Sequence, residues 1–135
     1  MHMINAIEKS LDEADDTPAL LAAGSAAFEL IHQVCAAYLG RAPESYAMWM
    51  SAIPLACNGR DELGCGHPHI ALPEDIGPGT VSEDDAADQL AALAAKLGIR
   101  LRDAAANAPR PEDRQACRRA AATADEIRGL LALDQ

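Results

Sequence analysis

The sequence predicts an all-α fold: an antiparallel four-helix bundle with a short extra helix at the N-terminal end and one long Gly/Pro-rich loop over residues 58–81. Three observations carry this expectation. Apolar residues recur at three- and four-residue spacing over several long segments, the period of a helix face. Half of the chain is apolar and rich in alanine, the strongest helix former, while Phe28, Tyr38, Tyr46 and Trp49 are the only aromatics. Capping residues stand where the periodicity starts and stops. At 135 residues the chain fits one domain, 1–135.

The elements follow in order. Over residues 4–14, Ile4, Ile7, Leu11 and Ala14 share a face. Asp12, Glu13, Asp15 and Asp16 crowd the C-terminal end and oppose the helix dipole, so this helix is expected to be short or frayed. Thr17-Pro18 reads as an N-cap followed by proline at the first helical position. The second helix then runs to Leu39 and stops at Gly40. Leu20, Gly24, Ala27, Ile31, Val34 and Tyr38 form one seam, with Leu21, Phe28 and Cys35 beside it. Glu29 is the one residue formally charged at neutral pH in this span. A helix apolar nearly all round is buried nearly all round, as a central helix or half of a dimer interface. Its apolar length would also span a bilayer, but Glu29, His32 and Gln33 at the middle favour a core helix.

Pro43 opens a third helix with Tyr46, Trp49, Met50 and Ile53 on one face, disturbed by Pro54 and terminated at Asn58-Gly59. Glycines and prolines then erase the pattern up to Val81. Thr80 or Ser82 caps the fourth helix, Thr80 with Glu83 fitting a capping box. Its stripe is Leu90, Ala94, Leu97, Leu101, Ala104 and Ala108. After Pro109 and Pro111 the last helix runs to about Leu133, with Cys117, Ala120, Ala124, Ile127 and Leu131 inward. Arg114 and Arg118, one turn apart, read as a solvated face that pairs with Asp125 and Glu126.

Charge narrows the function classes. Lys and Arg number 11 against 21 Asp and Glu, a net charge of −10. Nucleic acid and anionic membranes require the opposite sign, so neither is expected as a partner. No basic region followed by an apolar run opens the chain, and the cysteines form no compact pairing pattern; a cytoplasmic protein with reduced thiols is expected.

Several clusters are candidates for chemistry. Cys57, Cys65, His67 and His69 place two thiols and two imidazoles within thirteen residues, the donor set of a tetrahedral metal site. The spacing has no C-x-x-C, and the competing reading is a surface loop with buried cysteines. Glu29 and His32 lie one turn apart in the apolar helix, where a carboxylate must be paired, protonated or solvated. With Phe28, Tyr46, Trp49 and Met50 they outline a mostly apolar pocket with a polar spot, the composition of a small apolar ligand site. The competing reading is that the core is thick here and thin elsewhere.

Over five residues, Asp84-Asp85-x-x-Asp88 resembles the aspartate-rich motif of terpene synthases and prenyltransferases, which implies magnesium and a diphosphate. The same acids in the first turns of a capped helix stabilise its dipole, and that reading is taken here.

These observations lead to a non-catalytic binding module for a protein partner or a small apolar molecule. Two alternatives stand beside it. One is a small enzyme with its site between Glu29, His32 and the 57–69 loop, with or without a metal. The other is an acidic immunity or inhibitor protein for a basic partner. A second copy of the chain is a further candidate partner, through the apolar helix.

Overall fold

A computed structural model of the chain describes residues 2–41, 44–64 and 78–132. Five helices account for nearly all of them: α1 (His2–Glu13), α2 (Thr17–Leu39), α3 (Tyr46–Leu63), α4 (Glu83–Asn107) and α5 (Pro111–Leu131). Helices α2 to α5 form the predicted four-helix core and α1 is the short extra helix.

The packing order differs from the chain order. Helix α2 packs against α3 and α4, and α5 packs against the same two. Extensive contact is missing from the α2/α5 and α3/α4 pairs, which therefore lie across the bundle diagonals. Tyr38 near the end of α2 stacks on Trp49 in the first turns of α3, their ring centroids 4.9 Å apart. Glu83 at the start of α4 accepts a hydrogen bond from the Trp49 indole. The end of α2 and the starts of α3 and α4 thus meet at one end of the bundle. Helices α3 and α4 run the same way, and the chain must return the length of α3, about 27 Å at 1.5 Å per residue, before α4 begins. This topology requires the long connection that the glycines and prolines announce.

The core is a ladder of large side chains set among alanines. Phe28, Leu30, Ile31, Trp49, Leu90, Leu93, Leu97, Leu101, Ile127 and Leu131 have no measurable exposure. Every residue of the expected α4 and α5 stripes is buried. Helix α2 is long and apolar enough, by length and composition, to cross a membrane, and most of that apolar stretch is buried by α1, α3 and α4.

Several local expectations are corrected. Asp16, not Thr17, caps α2, its carboxylate accepting from Ala19 N at 2.8 Å, and Thr17 is the first helical residue. Helix α3 does not stop at Asn58-Gly59 but continues to Leu63 and ends on Gly64, at φ 69° in the left-handed region. Gly59 stays helical because it lies beneath the Phe28 ring; a Cβ there would be 2.3 Å from Phe28 Cε1. The long connection therefore starts at Gly64, not at residue 58.

On α3 the buried stripe is Met48, Trp49, Ala52, Ala56, Gly59, Arg60 and Leu63, so Tyr46 and Met50 face away from the core. Ser82 caps α4 by accepting from Asp85 N, and Glu83 is not part of a capping box on its own helix. The acidic end of α1 is a regular turn, because α4 supplies what α1 lacks. Arg100 donates to the carbonyls of Leu11 and Ala14 at 2.9 and 2.8 Å, and Lys96 pairs with Glu8 and Asp12. The expected pairing along α5 is replaced by pairing between helices. Asp125 takes Arg102 of α4, and Arg114 donates to Ala108 and Pro109 at the end of α4. The expectations for Pro43 as a helix start and for a last helix reaching Leu133 lie outside the described residues.

Candidate functional site

The α2–α3 seam carries the polar group that the sequence singled out. Glu29, one turn beyond the buried Ser25, is itself buried. Its Oε1 accepts from Arg60 Nη1, and its Oε2 accepts from Gln33 Nε2 at 2.9 Å. Helix α3 delivers Arg60 to this position only because it continues through Gly59. His32 Nδ1 stands 3.6 Å from Glu29 Oε1, too far for a hydrogen bond.

The cause of the carboxylate's acidity can be separated. Burial alone would raise the Glu29 pKa, but the hydrogen bonds from Gln33 and Arg60 and the neighbouring His32 outweigh it and hold it below the ordinary 4.5. For Arg60, burial works against the charge and the Glu29 carboxylate restores it, keeping the guanidinium pKa above its ordinary value. Glu29 is thus a committed anion, which answers the sequence's question of whether it is paired, protonated or solvated. Among the described residues three buried polar atoms in and beside this seam make no hydrogen bond: Ser25 Oγ, His32 Nδ1 and Arg60 Nε, the last 3.5 Å from Asp61 Oδ1.

The six residues expected to outline a pocket are divided between core, seam and surface. Phe28 is fully buried against Gly59 and Trp49 is fully buried against Tyr38, so both rings fill space between helices. Glu29 and His32 lie in the seam. Tyr46 and Met50 are 49% and 48% exposed on the outer face of α3. The structure brings Phe28, Glu29 and His32 close to α3, and it separates Tyr46 and Met50 from them.

Of the four expected metal ligands, Cys65, His67 and His69 lie outside the described residues. Cys57 is a half-buried free thiol on α3, one turn before Arg60. Among the described residues no three His, Cys, Asp or Glu side chains are grouped as a metal site would need. Cys35 is fully buried, and burial pushes its thiol up to about 12, away from the thiolate form that a nucleophile needs. Asp84, Asp85 and Asp88 are exposed in the first turns of α4, where Ser82 caps.

Sequence reasoning missed a groove at the other end of the bundle. About 580 Å³ of open-sided space lies between the α1–α2 turn and the α4–α5 turn. Leu20, Ala104 and Ala108 contribute to its floor, and Asp15, Asp16, Asp103 and Asp113 stand along it. The acids were legible, but they are scattered over a hundred residues and only the antiparallel packing of α2 against α4 gathers them.

Comparisons with known proteins give no further support, since no family model, no curated protein and no solved structure matches the chain.

Proposed function

We propose that this protein is a non-catalytic binding module whose partner is a protein with a basic surface. One observation carries the proposal: carboxylates outnumber cations by ten, and six of the eleven cations are engaged by hydrogen bonds to the chain's own carboxylates and backbone carbonyls. Arg60 is buried on Glu29, and Lys96 and Arg100 serve the end of α1. Arg102, Arg110 and Arg114 are committed to Asp125, to Glu112 and to the carbonyls of Ala108 and Pro109. Asp15, Glu44, Asp84, Asp85, Asp88, Asp103 and Glu126 remain exposed. Lys9, Arg41, Arg118, Arg119 and Arg128 are exposed as well, but the carboxylates outnumber them, and such an acidic surface attracts a basic partner over long range and sets its encounter rate more than its final affinity.

The test is retention of basic proteins on the immobilised chain. Retention at low salt that is lost by about 0.5 M salt, where the Debye length falls to a few ångströms, is the expected result. If only neutral or acidic proteins are retained, or none, the proposal fails.

A second reading is favoured by the three buried polar atoms without hydrogen bonds in and beside the α2–α3 seam. Under it a small polar-ended apolar molecule docks against His32 and Arg60. A thermal-shift screen with apolar and aromatic metabolites checks it: stabilisation that disappears in His32→Ala supports the site, and an unresponsive protein removes it.

A further inference from the structure

We infer that the groove between the α1–α2 and α4–α5 turns is the docking site for a segment of the partner protein in which a lysine or arginine neighbours an apolar residue. This rests on the basic-partner reading above and assigns it a place.

The groove offers two kinds of surface side by side. Leu20, Ala104 and Ala108 give it an apolar floor. Four carboxylates stand over that floor against two guanidinium groups, those of Arg100 and Arg110. Both guanidiniums are already engaged, Arg100 by the Leu11 and Ala14 carbonyls and Arg110 by Glu112 at 2.6 Å. Asp16 is engaged as the α2 cap. The carboxylates of Asp15 and Asp103 are exposed and make no hydrogen bond or ion pair among the described residues, so their charge is available to an incoming cation.

A separate observation shows which charge this end of the bundle attracts. Helices α1 and α4 both finish here, and each turn draws an arginine of the chain onto its carbonyls: Arg100 onto Leu11 and Ala14 at the end of α1, Arg114 onto Ala108 and Pro109 in the α4–α5 turn. Carbonyls of both turns and the surrounding carboxylates already hold guanidinium groups, while the N-termini of α2 and α5, which start at the same turns, oppose the dipoles of α1 and α4. The groove is open-sided, so it suits a stretch of chain laid along it rather than an engulfed metabolite. A long cationic side chain fits both surfaces at once, its methylene stem on the floor and its charged end at Asp15 or Asp103.

The test uses the full ¹⁵N-labelled chain and a short peptide of alternating Lys and Leu. Amide shifts are expected to concentrate in residues 14–20 and 100–113. Asp15→Lys with Asp103→Lys should weaken binding about tenfold or more, whereas Asp84→Lys with Asp88→Lys, an equal change of net charge at the other end, should change it less than about twofold. Asp15→Asn with Asp103→Asn serves if the lysine variant does not fold, and should show a smaller loss in the same direction.

Equal losses in both pairs, shifts spread over the whole acidic surface, or no binding by the Lys–Leu peptide would overturn the groove assignment. So would a Lys–Ser peptide that binds as well as Lys–Leu, because the floor would then be unused. Failure of the groove is distinct from failure of the basic-partner reading: a basic protein retained equally by wild type and the Asp15/Asp103 variant overturns only the former.

Discussion

Gly59 has no side chain at the place where the Phe28 ring lies. Alanine there would gain about 1 kcal/mol of helix propensity, but its Cβ would be 2.3 to 2.6 Å from three atoms of a fully buried ring. A ring enclosed on all sides cannot yield as a flexible chain end does, and overpacking costs about 1–3 kcal/mol. Gly59→Ala is expected to lower the urea midpoint. Gly129, with open space around its Cβ position near the end of α5, gives the contrast: Gly129→Ala should stabilise by about 0.5–1 kcal/mol.

Glu29 belongs to the same scale. Its pKa is below 4.5 in the folded chain, so between the folded value and 4.5 the unfolded chain binds more protons. Its contribution is therefore fully present above the unfolded value and is lost as pH falls through the folded one. Glu29→Gln should lower stability at pH 7 by a few kcal/mol, since it leaves the Arg60 charge buried without its partner, and should flatten the acid limb of a stability-versus-pH curve. An acid limb equal to wild type would contradict this account. From the sequence Glu29 was legible as a residue in need of a partner. Arg60 was not legible as that partner, because it lies 31 positions away behind a glycine that reads as a helix stop.

Helices here are finished by their neighbours as well as by their own caps. Ser45 at the start of α3 makes no side-chain cap. Instead Glu83 of α4 reaches across, accepting from Trp49 Nε1 at 2.8 Å and from the backbone N–H groups of Glu44 and Ser45 at 3.1 and 3.3 Å. Burial alone would raise the Glu83 pKa; these three donors overcome that and hold it below the ordinary value. Glu83→Ala would leave the buried indole N–H without an acceptor, at a cost of about 1–3 kcal/mol. Trp49 is the single tryptophan, so the same variant is expected to shift the fluorescence maximum to the red. An unchanged spectrum would mean that the indole does not depend on Glu83. Ser82→Ala, which removes only the local α4 cap, should cost about 1 kcal/mol and leave the spectrum in place.

The whole molecule joins a helical hairpin of α2 and α3 to one of α4 and α5 through a connection that must return along the bundle. Its packing is held by apolar area, with a few inter-helix polar links such as Glu62 to Thr123 Oγ1 at 2.8 Å between α3 and α5. Its surface carries a net charge of −10, which repels itself in the compact state. The melting temperature is therefore expected to rise as salt increases from about 10 to about 200 mM, while attraction to a basic partner weakens over the same range. A melting temperature that falls with salt would show that the inter-helix ion pairs outweigh the self-repulsion.

The α4 and α5 stripes were readable residue by residue because the period of a helix is a local property of the chain. The fold class followed from them and from the alanine content. The sequence also marked α2 as a central helix or half of a dimer interface, and Glu29 as its polar interruption. What only the tertiary structure decided are the pairings across long sequence separations: Glu29 with Arg60, Glu83 with the start of α3, and Arg100 with the end of α1. It also decided that Tyr46 and Met50 face outward and that scattered aspartates meet at one groove. The physical reason is the same in each case. A helix displays its face by periodicity, but which groups come to rest against that face depends on the packing order and direction of its neighbours, and no local pattern encodes either.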